Sequence, residues 1–320
     1  MTRTRAWVIF VVSAVIGIAC GGKGANTGVD ADAVDLDGDP IALLPSAPVI
    51  LANLDAKAFY ASASAGAQLG KLSERLVPIG EESGFVASRD LERVVVGMYS
   101  TSGADAAAIV KGTFDEAKIA QAAANTTVTK LGFPIVKSAY TGRTLYTVNN
   151  VGFVILTAHT AVAGTEGGIR RTLERIQDKR VKRDVPAWMV DTIDTKEAAI
   201  AFAVDLVNQP VANAAIGAMP IHFLDGLRSA SVIGKFAEPG MRFAGTLTFG
   251  DAGRAVTAAD QIKNAGEIAR ALGAWVPMPI QVKDLEVAAT DKDVKCKASL
   301  DDEGMKRIVT MLPTLIPTAH

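Results

Sequence analysis

The sequence contains one order of features twice, with three pairs of similar segments. The pairs are DLERVVVGMY with LRSASVIGKF, IVKGTFDEAKIAQAA with AGTLTFGDAGRAVTAA, and TEGGIRRTLERI with DDEGMKRIVTML. They align Gly97 with Gly234, Phe114 with Phe249 and Gly168 with Gly304. Because unrelated signals recur at nearly one spacing, we predict an internal duplication, with chance similarity in an alanine-rich chain as the alternative.

Each copy has the hydrophobic pattern of a strand-helix-strand-strand-helix-strand-strand-helix unit. In MRFAGTLTF, Met241, Phe243, Leu247 and Phe249 alternate with polar residues. Such alternation is typical of an antiparallel sheet that is covered on one face. The predicted fold class is therefore α+β, with two tandem copies whose antiparallel sheets carry helices on one face. We place the first repeat at residues 47–185 and the second at 186–317.

The beginning of the chain has the pattern of a secretory signal. Arg3 and Arg5 precede an apolar run that extends from Ala6 to Ala19. This run is shorter than the roughly 20 residues that a membrane-spanning helix needs. We therefore predict that residues 1–19 form a signal peptide that is removed before Cys20.

The residues after Cys20 contain few side chains that can build a core. Residues 20–46 are rich in glycine, aspartate and alanine. Such a segment buries too little apolar surface to offset its chain entropy, so we predict a disordered tether. Its stretch DADAVDLDGDP is similar to a calcium-binding loop, but Ala33 and Leu44 stand where the first and last carboxylates are needed. Their absence argues against calcium.

Ala19 and Cys20 resemble the end of a bacterial lipoprotein signal peptide. The resemblance implies cleavage by the lipoprotein signal peptidase and a diacylglycerol and palmitate anchor on Cys20. Gly21, in place of an aspartate, implies the outer membrane, with the domain facing the periplasm or the cell surface. Ordinary signal peptidase also accepts the small residues Gly17 and Ala19, so simple secretion is the alternative. The layout of the body is similar to that of uncharacterised envelope lipoproteins with a repeated α+β domain, and this likeness of pattern transfers no site residues.

Catalytic and metal-binding motifs are missing from the sequence. His159 and His222 have no second histidine nearby and no Glu-x-x-His spacing. No zinc site is therefore predicted. Neither a G-x-S-x-G elbow nor a phosphate-binding glycine loop occurs. Cys296 alternates with apolar residues, which places it on the core side of a strand. We therefore predict a protein that is not an enzyme and that has no metal or cofactor.

One segment is strongly basic in a chain whose formal net charge is −1. Residues 170–183, RRTLERIQDKRVKR, contain seven basic and two acidic residues. The basic residues are Arg170, Arg171, Arg175, Lys179, Arg180, Lys182 and Arg183. We expect a solvated helix face, and the alternative is a surface that contacts anionic lipid, lipopolysaccharide or an acidic envelope protein. The overall charge gives no reason to expect nucleic acid.

These patterns predict a lipid-anchored protein of the cell envelope with a non-catalytic binding or scaffolding role. One alternative is a carrier whose pocket between sheet and helices holds an apolar ligand, with Ala106 to Ala108 and Ala122 to Ala124 leaving room for it. A hydrolase with an unfamiliar site is a further alternative. We also expect Trp188, in VPAWMVDTI, to be buried where it joins the two copies. The competing possibility is an exposed anchor for a partner.

The anchor is tested by the variant Cys20→Ser. If Cys20 is acylated, the wild-type chain partitions into detergent and incorporates labelled palmitate, and Cys20→Ser releases a folded, soluble domain. Cys296→Ser is the matched control and stays anchored. A wild-type chain that carries no lipid and is soluble in the periplasm would contradict the lipoprotein prediction.

Overall fold

The computed structural model describes residues 34–76, 79, 81–101, 105–129, 132–209, 215–216, 219–220, 222–237, 240–273 and 282–311. The predicted signal peptide, Cys20 and the first part of the predicted tether lie outside these residues. No helix among the described residues is long and apolar enough to cross a bilayer.

The helices and strands of the described residues are numbered in chain order. The helices are α1 (Pro40–Leu43), α2 (Ala56–Ala61), α3 (Gly66–Leu76), α4 (Ala87–Asp90), α5 (Glu116–Asn125), α6 (Glu166–Gln177), α7 (Ala187–Ile193), α8 (Ala252–Gly273) and α9 (Asp302–Met311). The strands of the first half are β1 (Ile50–Asp55), β2 (Leu91–Met98), β3 (Ala106–Gly112), β4 (Val136–Tyr140), β5 (Arg143–Val148), β6 (Val151–Ile155) and β7 (Thr160–Thr165). Those of the second half are β8 (Ile200–Asp205), β9 (Ala215–Ile216), β10 (Met219–Pro220), β11 (Leu227–Ala237), β12 (Gly240–Phe249), β13 (Lys283–Thr290) and β14 (Asp293–Leu300).

Twelve strands form one antiparallel sheet in the order β13-β14-β12-β11-β8-β1-β2-β3-β7-β6-β5-β4. The α+β class is therefore confirmed. The two halves share this sheet because β1 pairs with β8, with Ile50 opposite Val204 and Leu54 opposite Ile200. The expectation of separate sheets is wrong, since this pairing satisfies two strand edges that would otherwise be open.

The halves have the same strand order, counted outward from the centre of the sheet. The first runs β1-β2-β3-β7-β6 and adds β5 and β4 at its edge, and the second runs β8-β11-β12-β14-β13. The helix N-termini are also capped alike. Asp115 and Asp251 each accept a hydrogen bond from the backbone N–H three residues later, and so do Thr165 and Asp301. This is the arrangement that a duplication requires, while common descent of the halves stays a prediction.

The faces of the sheet are covered differently in the two halves. In β2, Val94 and Val96 lie on the face that α2 covers, whereas Val95 packs beneath α6 on the opposite face. In β12, Met241 and Phe249 are buried under helices, and Arg242 on the other face is exposed. Helices on one face were predicted for both copies. That arrangement is found for β12 and β14 of the second half, whereas α7 covers the other face of β8 and β11, and the first half has helices on both faces.

The two final helices occupy opposite faces of the sheet. Helix α6 packs with Val95 and Ala107, and α9 packs with Met241 and Leu300 on the other face. When the buried pair Phe114 and Phe249 is aligned, the cap of α9 comes one residue later than the cap of α6. The segments between these points are built differently, since β4 and β5 occur in the first half alone among the described residues.

The predicted tether is ordered over its last part, so its predicted end at residue 46 is wrong. Ile41, Leu43 and Leu44 are almost fully buried against the face that α6 covers. The Asp37 carboxylate accepts hydrogen bonds from the Thr157 and Thr160 hydroxyls. The apolar residues IALL dock this segment, which we name the N-terminal strap (residues 34–46), although the residues before it are polar.

Trp188 does not join the two halves, contrary to our expectation. Its exposed fraction is 37%, whereas Met189 and Ile193 are almost fully buried beside Ala201 of β8. Successive residues of a helix point about 100° apart, so α7 can bury Met189 and Ile193, four residues apart, only by turning Trp188 away.

The roles of these neighbours can be separated by thermal melting. We expect Met189→Ala to reduce the free energy of unfolding by about 2–5 kcal/mol, because it leaves a cavity at the junction of the halves. Trp188→Ala should cost less than Met189→Ala, because more than a third of the Trp188 side chain stays in solvent. A larger loss for Trp188→Ala than for Met189→Ala would contradict this assignment.

Candidate functional site

An apolar cavity of 280 Å³ lies at the junction of the two halves. It is bounded by the central strands on one side and by helices α2, α3 and α9 on the other. Both halves line it: Ala52, Val94 and Val96 come from the first, and Phe202 and Met305 from the second. The cavity therefore depends on the pairing of β1 with β8, which brings these residues onto one face.

The helices over the cavity are held mainly by apolar contacts. Leu69 of α3 packs in one cluster with Met305 and Val309 of α9. The hydroxyl of Thr310 donates a hydrogen bond to the Gln68 side chain at 3.3 Å, which links the two helices directly. A ligand that enters beneath α3 and α9 thus meets flexible aliphatic and methionine side chains.

The lining has little capacity for acid-base chemistry. Apart from backbone groups, its polar atom is the Tyr60 hydroxyl, because the Asn53 side chain points to the other face of the sheet. Burial raises the pKa of Tyr60, and the side chain of Ser73 is its hydrogen-bonding partner. Asn53 accepts a hydrogen bond from Arg93, so its oxygen is already paired. This arrangement favours retention of an apolar molecule.

The alanines that were expected to leave room for a ligand pack tightly. Ala106, Ala108, Ala122 and Ala123 all belong to the first-half core and have exposed fractions of 4% or less. They fill the core between the sheet and α5 and leave no space for a ligand there. The small residues that do line the cavity are Ala52 and Ala56, in β1 and at the start of α2.

Arg170 and Arg171, the first basic residues of the segment 170–183, are neutralised by nearby carboxylates. Arg170 binds Glu166 with an N–O distance of 2.6 Å, and Arg171 binds Asp105 at 2.7 Å. Each guanidinium also stacks on a tyrosine ring, at 4.3 and 4.9 Å from the ring centre. These cations have structural partners within the fold.

The later basic residues connect α6 to the N-terminal strap and to residues 178–186, which lie between α6 and α7. Arg175 is almost fully buried and donates hydrogen bonds to the Ser46 hydroxyl at 2.9 Å and to the Lys182 carbonyl at 2.7 Å. Arg183 binds Asp39 at 2.6 Å. Arg180 pairs with Asp178, and Lys179 and Lys182 are exposed. The seven basic residues therefore do not form one uniform cationic surface.

The other sequence candidates are scattered. Cys296 is half-buried in β14, and burial raises the pKa of its thiol. His159 is exposed in the turn before β7. No group of three or more histidine, cysteine, aspartate or glutamate residues within the described ranges is arranged to hold a metal ion. In the calcium-like stretch, Asp35 accepts hydrogen bonds from the backbone N–H groups of Asp37 and Gly38.

No protein-family model matches this sequence, and no curated protein matches it. The chain is similar in structure to TP0453. Crystal form IV of TP0453 gives a TM-score of 0.52 at 9% sequence identity, covering 86% of this chain and 96% of that chain. Crystal form I gives a TM-score of 0.51 at 12% sequence identity, covering 89% of this chain and 100% of that chain. At this level of identity the likeness shows a shared fold.

The cavity can be tested by filling it. Ala52→Leu adds apolar volume where there is free space, so we expect the free energy of unfolding to rise by about 1–2 kcal/mol. Ala108→Leu makes the same change beneath α5, on the same face but away from the cavity, and should cost about 1–3 kcal/mol through overpacking. Equal destabilisation by the two variants in thermal melts would mean that the space beside Ala52 is filled by protein.

Proposed function

We propose that this chain is a lipid-anchored cell-envelope protein that binds an apolar ligand, and that the binding site is the cavity between the sheet and helices α2, α3 and α9. The observation that carries the proposal is the cavity itself, which has a volume of 280 Å³ and is lined almost entirely by apolar side chains. Ligand pockets in proteins begin at roughly 300 Å³, so this cavity is close to the lower end of their range.

The energetics of packing support an occupant. The cavity is open to solvent, so its apolar lining faces water when no ligand is bound. An apolar ligand gains about 0.8 kcal/mol for each methylene group that it buries there. A polar ligand would leave its hydrogen-bonding groups unpaired against this lining. The expected ligand is accordingly an apolar molecule or the apolar part of an amphiphile.

The proposal includes no catalytic step. Catalysis needs a nucleophile or a proton-transfer group close to the substrate. The described lining offers the Tyr60 phenol as its one titratable side chain. No observation in the described residues favours the hydrolase alternative. The proposed anchor is Cys20, with the domain held at the outer membrane, and the anchor rests on the signal-peptide pattern of the sequence.

The binding proposal is tested with N-phenyl-1-naphthylamine, an apolar dye whose emission rises when it leaves water. We expect the mature domain to bind the dye and Ala52→Leu to weaken binding at least about tenfold, equivalent to about 1.4 kcal/mol, by occupying part of the cavity. Ala288→Leu, on the exposed face of β13, is the matched control and should bind as the wild type does.

Two results would count against the cavity as the binding site. One is the absence of dye binding by the mature domain. The other is binding that Ala52→Leu and Ala288→Leu leave equally unchanged. Native mass spectrometry of the purified chain adds an independent measurement, since a bound apolar molecule appears as a mass increment that organic solvent removes.

A further inference from the structure

Trp188 is the aromatic side chain of α7, and it is partly exposed at the protein surface. Its exposed fraction is 37%, and the residues before it, Pro186 and Ala187, are exposed as well. Helix α7 buries Met189 and Ile193 instead. A tryptophan whose ring lies at a protein surface is well suited to the boundary between water and lipid, where its apolar ring and its N–H group both find partners.

The chain that leads from Cys20 enters the fold close to Trp188. Asp39 of the N-terminal strap binds Arg183 at 2.6 Å, and the N–H of Ala47 donates a hydrogen bond to the Asp184 carbonyl. Arg183 and Trp188 are five positions apart in the chain, so their Cα atoms are at most about 18 Å apart. Arg183 also binds Asp194, directly after α7, at 3.0 Å, so the strap fixes the entry point of the chain beside the C-terminal end of this seven-residue helix.

The strap shortens the tether that was predicted between the anchor and the fold. It is ordered from residue 34, so residues 20–33 alone separate the proposed anchor from the strap. A flexible segment of this length has a root-mean-square extension of about 20 Å. The bilayer that holds Cys20 therefore lies within reach of the surface around Trp188. The tether raises the effective concentration of lipid at this surface, so that even a weak contact forms.

The charge next to Trp188 is compatible with phospholipid headgroups. Arg183 is shared between Asp39 and Asp194, and Arg180 is paired with Asp178. Lys182 is exposed, and no carboxylate in the described part of the chain pairs with it. A lysine of this kind strengthens binding to an anionic lipid surface about fivefold.

We propose that Trp188 and Lys182 contact the surface of the bilayer that carries the lipid anchor and thereby orient the domain. The inference rests on the anchor at Cys20 in the proposed function. Helix α7 lies on one face of the sheet, and the cavity lies on the other. With Trp188 at the lipid surface, helices α3 and α9 face away from the membrane, and the cavity exchanges its ligand on that side.

The contact is tested on the mature chain, coupled through a maleimide lipid at Cys20 to vesicles of phosphatidylethanolamine and phosphatidylglycerol. Cys296→Ala confines the coupling to Cys20, and Trp275→Phe leaves Trp188 as the emitting tryptophan. We expect brominated acyl chains in the vesicles to quench the Trp188 emission. The change Lys182→Ala should weaken vesicle binding by the uncoupled chain about fivefold, the equivalent of one lysine. Lys263→Ala in α8, on the cavity face of the sheet, is the matched control and should leave that binding unchanged.

If brominated lipid does not change the emission of the coupled chain, the proposal is overturned. Trp188 would then be a surface for a protein partner. Because the coupling is chemical, this test is independent of whether cells acylate Cys20. A failure of palmitate labelling therefore counts against the anchor, and a failure of quenching counts against the membrane contact.

Discussion

The pairing of β1 with β8 is the interaction on which the rest of the structure depends. These are the innermost strands of the two halves, and each is paired on both sides, β1 with β2 and β8, and β8 with β1 and β11. The pairing closes the central edges of the sheet, buries Leu51 and Ala201 beneath α7 and brings Ala52 beside Phe202. A core that spans the junction makes the halves one unit, although each has its own order of strands and helices.

The face that the final helix of each half covers accounts for the position of the cavity. Helix α6 covers one face in the first half, and α9 covers the other face in the second. Helix α9 packs on β12 and β14 beside α3, and the space between these helices and the central strands is not filled by Ala52 and Ala56. The other face of β12 and β14 is polar and exposed, with Arg242 and Lys297 in solvent.

Local elements with strong patterns could be predicted from the sequence. Ile169 and Leu173 recur at helical spacing and identify α6, and Asn149 with Asn150, both at positive φ, form the turn between β5 and β6. The apolar positions of the sequence shift from Val282 to Leu285, and β13 has a register shift between Lys283 and Glu286. Alternation does not identify strand β7, because all six of its residues are buried. Small residues such as Ala161 give no alternation of apolar and polar positions.

The cavity and the role of Trp188 could not be predicted, for physical reasons that differ. The cavity depends on contacts between residues as distant in sequence as Ala52 and Met305, and on the face that α9 occupies. Trp188, Met189 and Ile193 were grouped by their apolar character alone. The ordered structure of the strap was not predicted from its polar composition. Burial of the four apolar residues near its end is sufficient to dock it on the fold.

A ligand in the cavity should stabilise both halves together, because residues of both line it. Native-state hydrogen exchange of the β1 and β8 amides, measured with and without N-phenyl-1-naphthylamine, tests this claim directly. Ligand that binds across the junction should slow exchange in β1 and β8 by the same factor, since both strands then open only with the whole unit. Slower exchange in one strand alone, or no change in either at a saturating dye concentration, would contradict it.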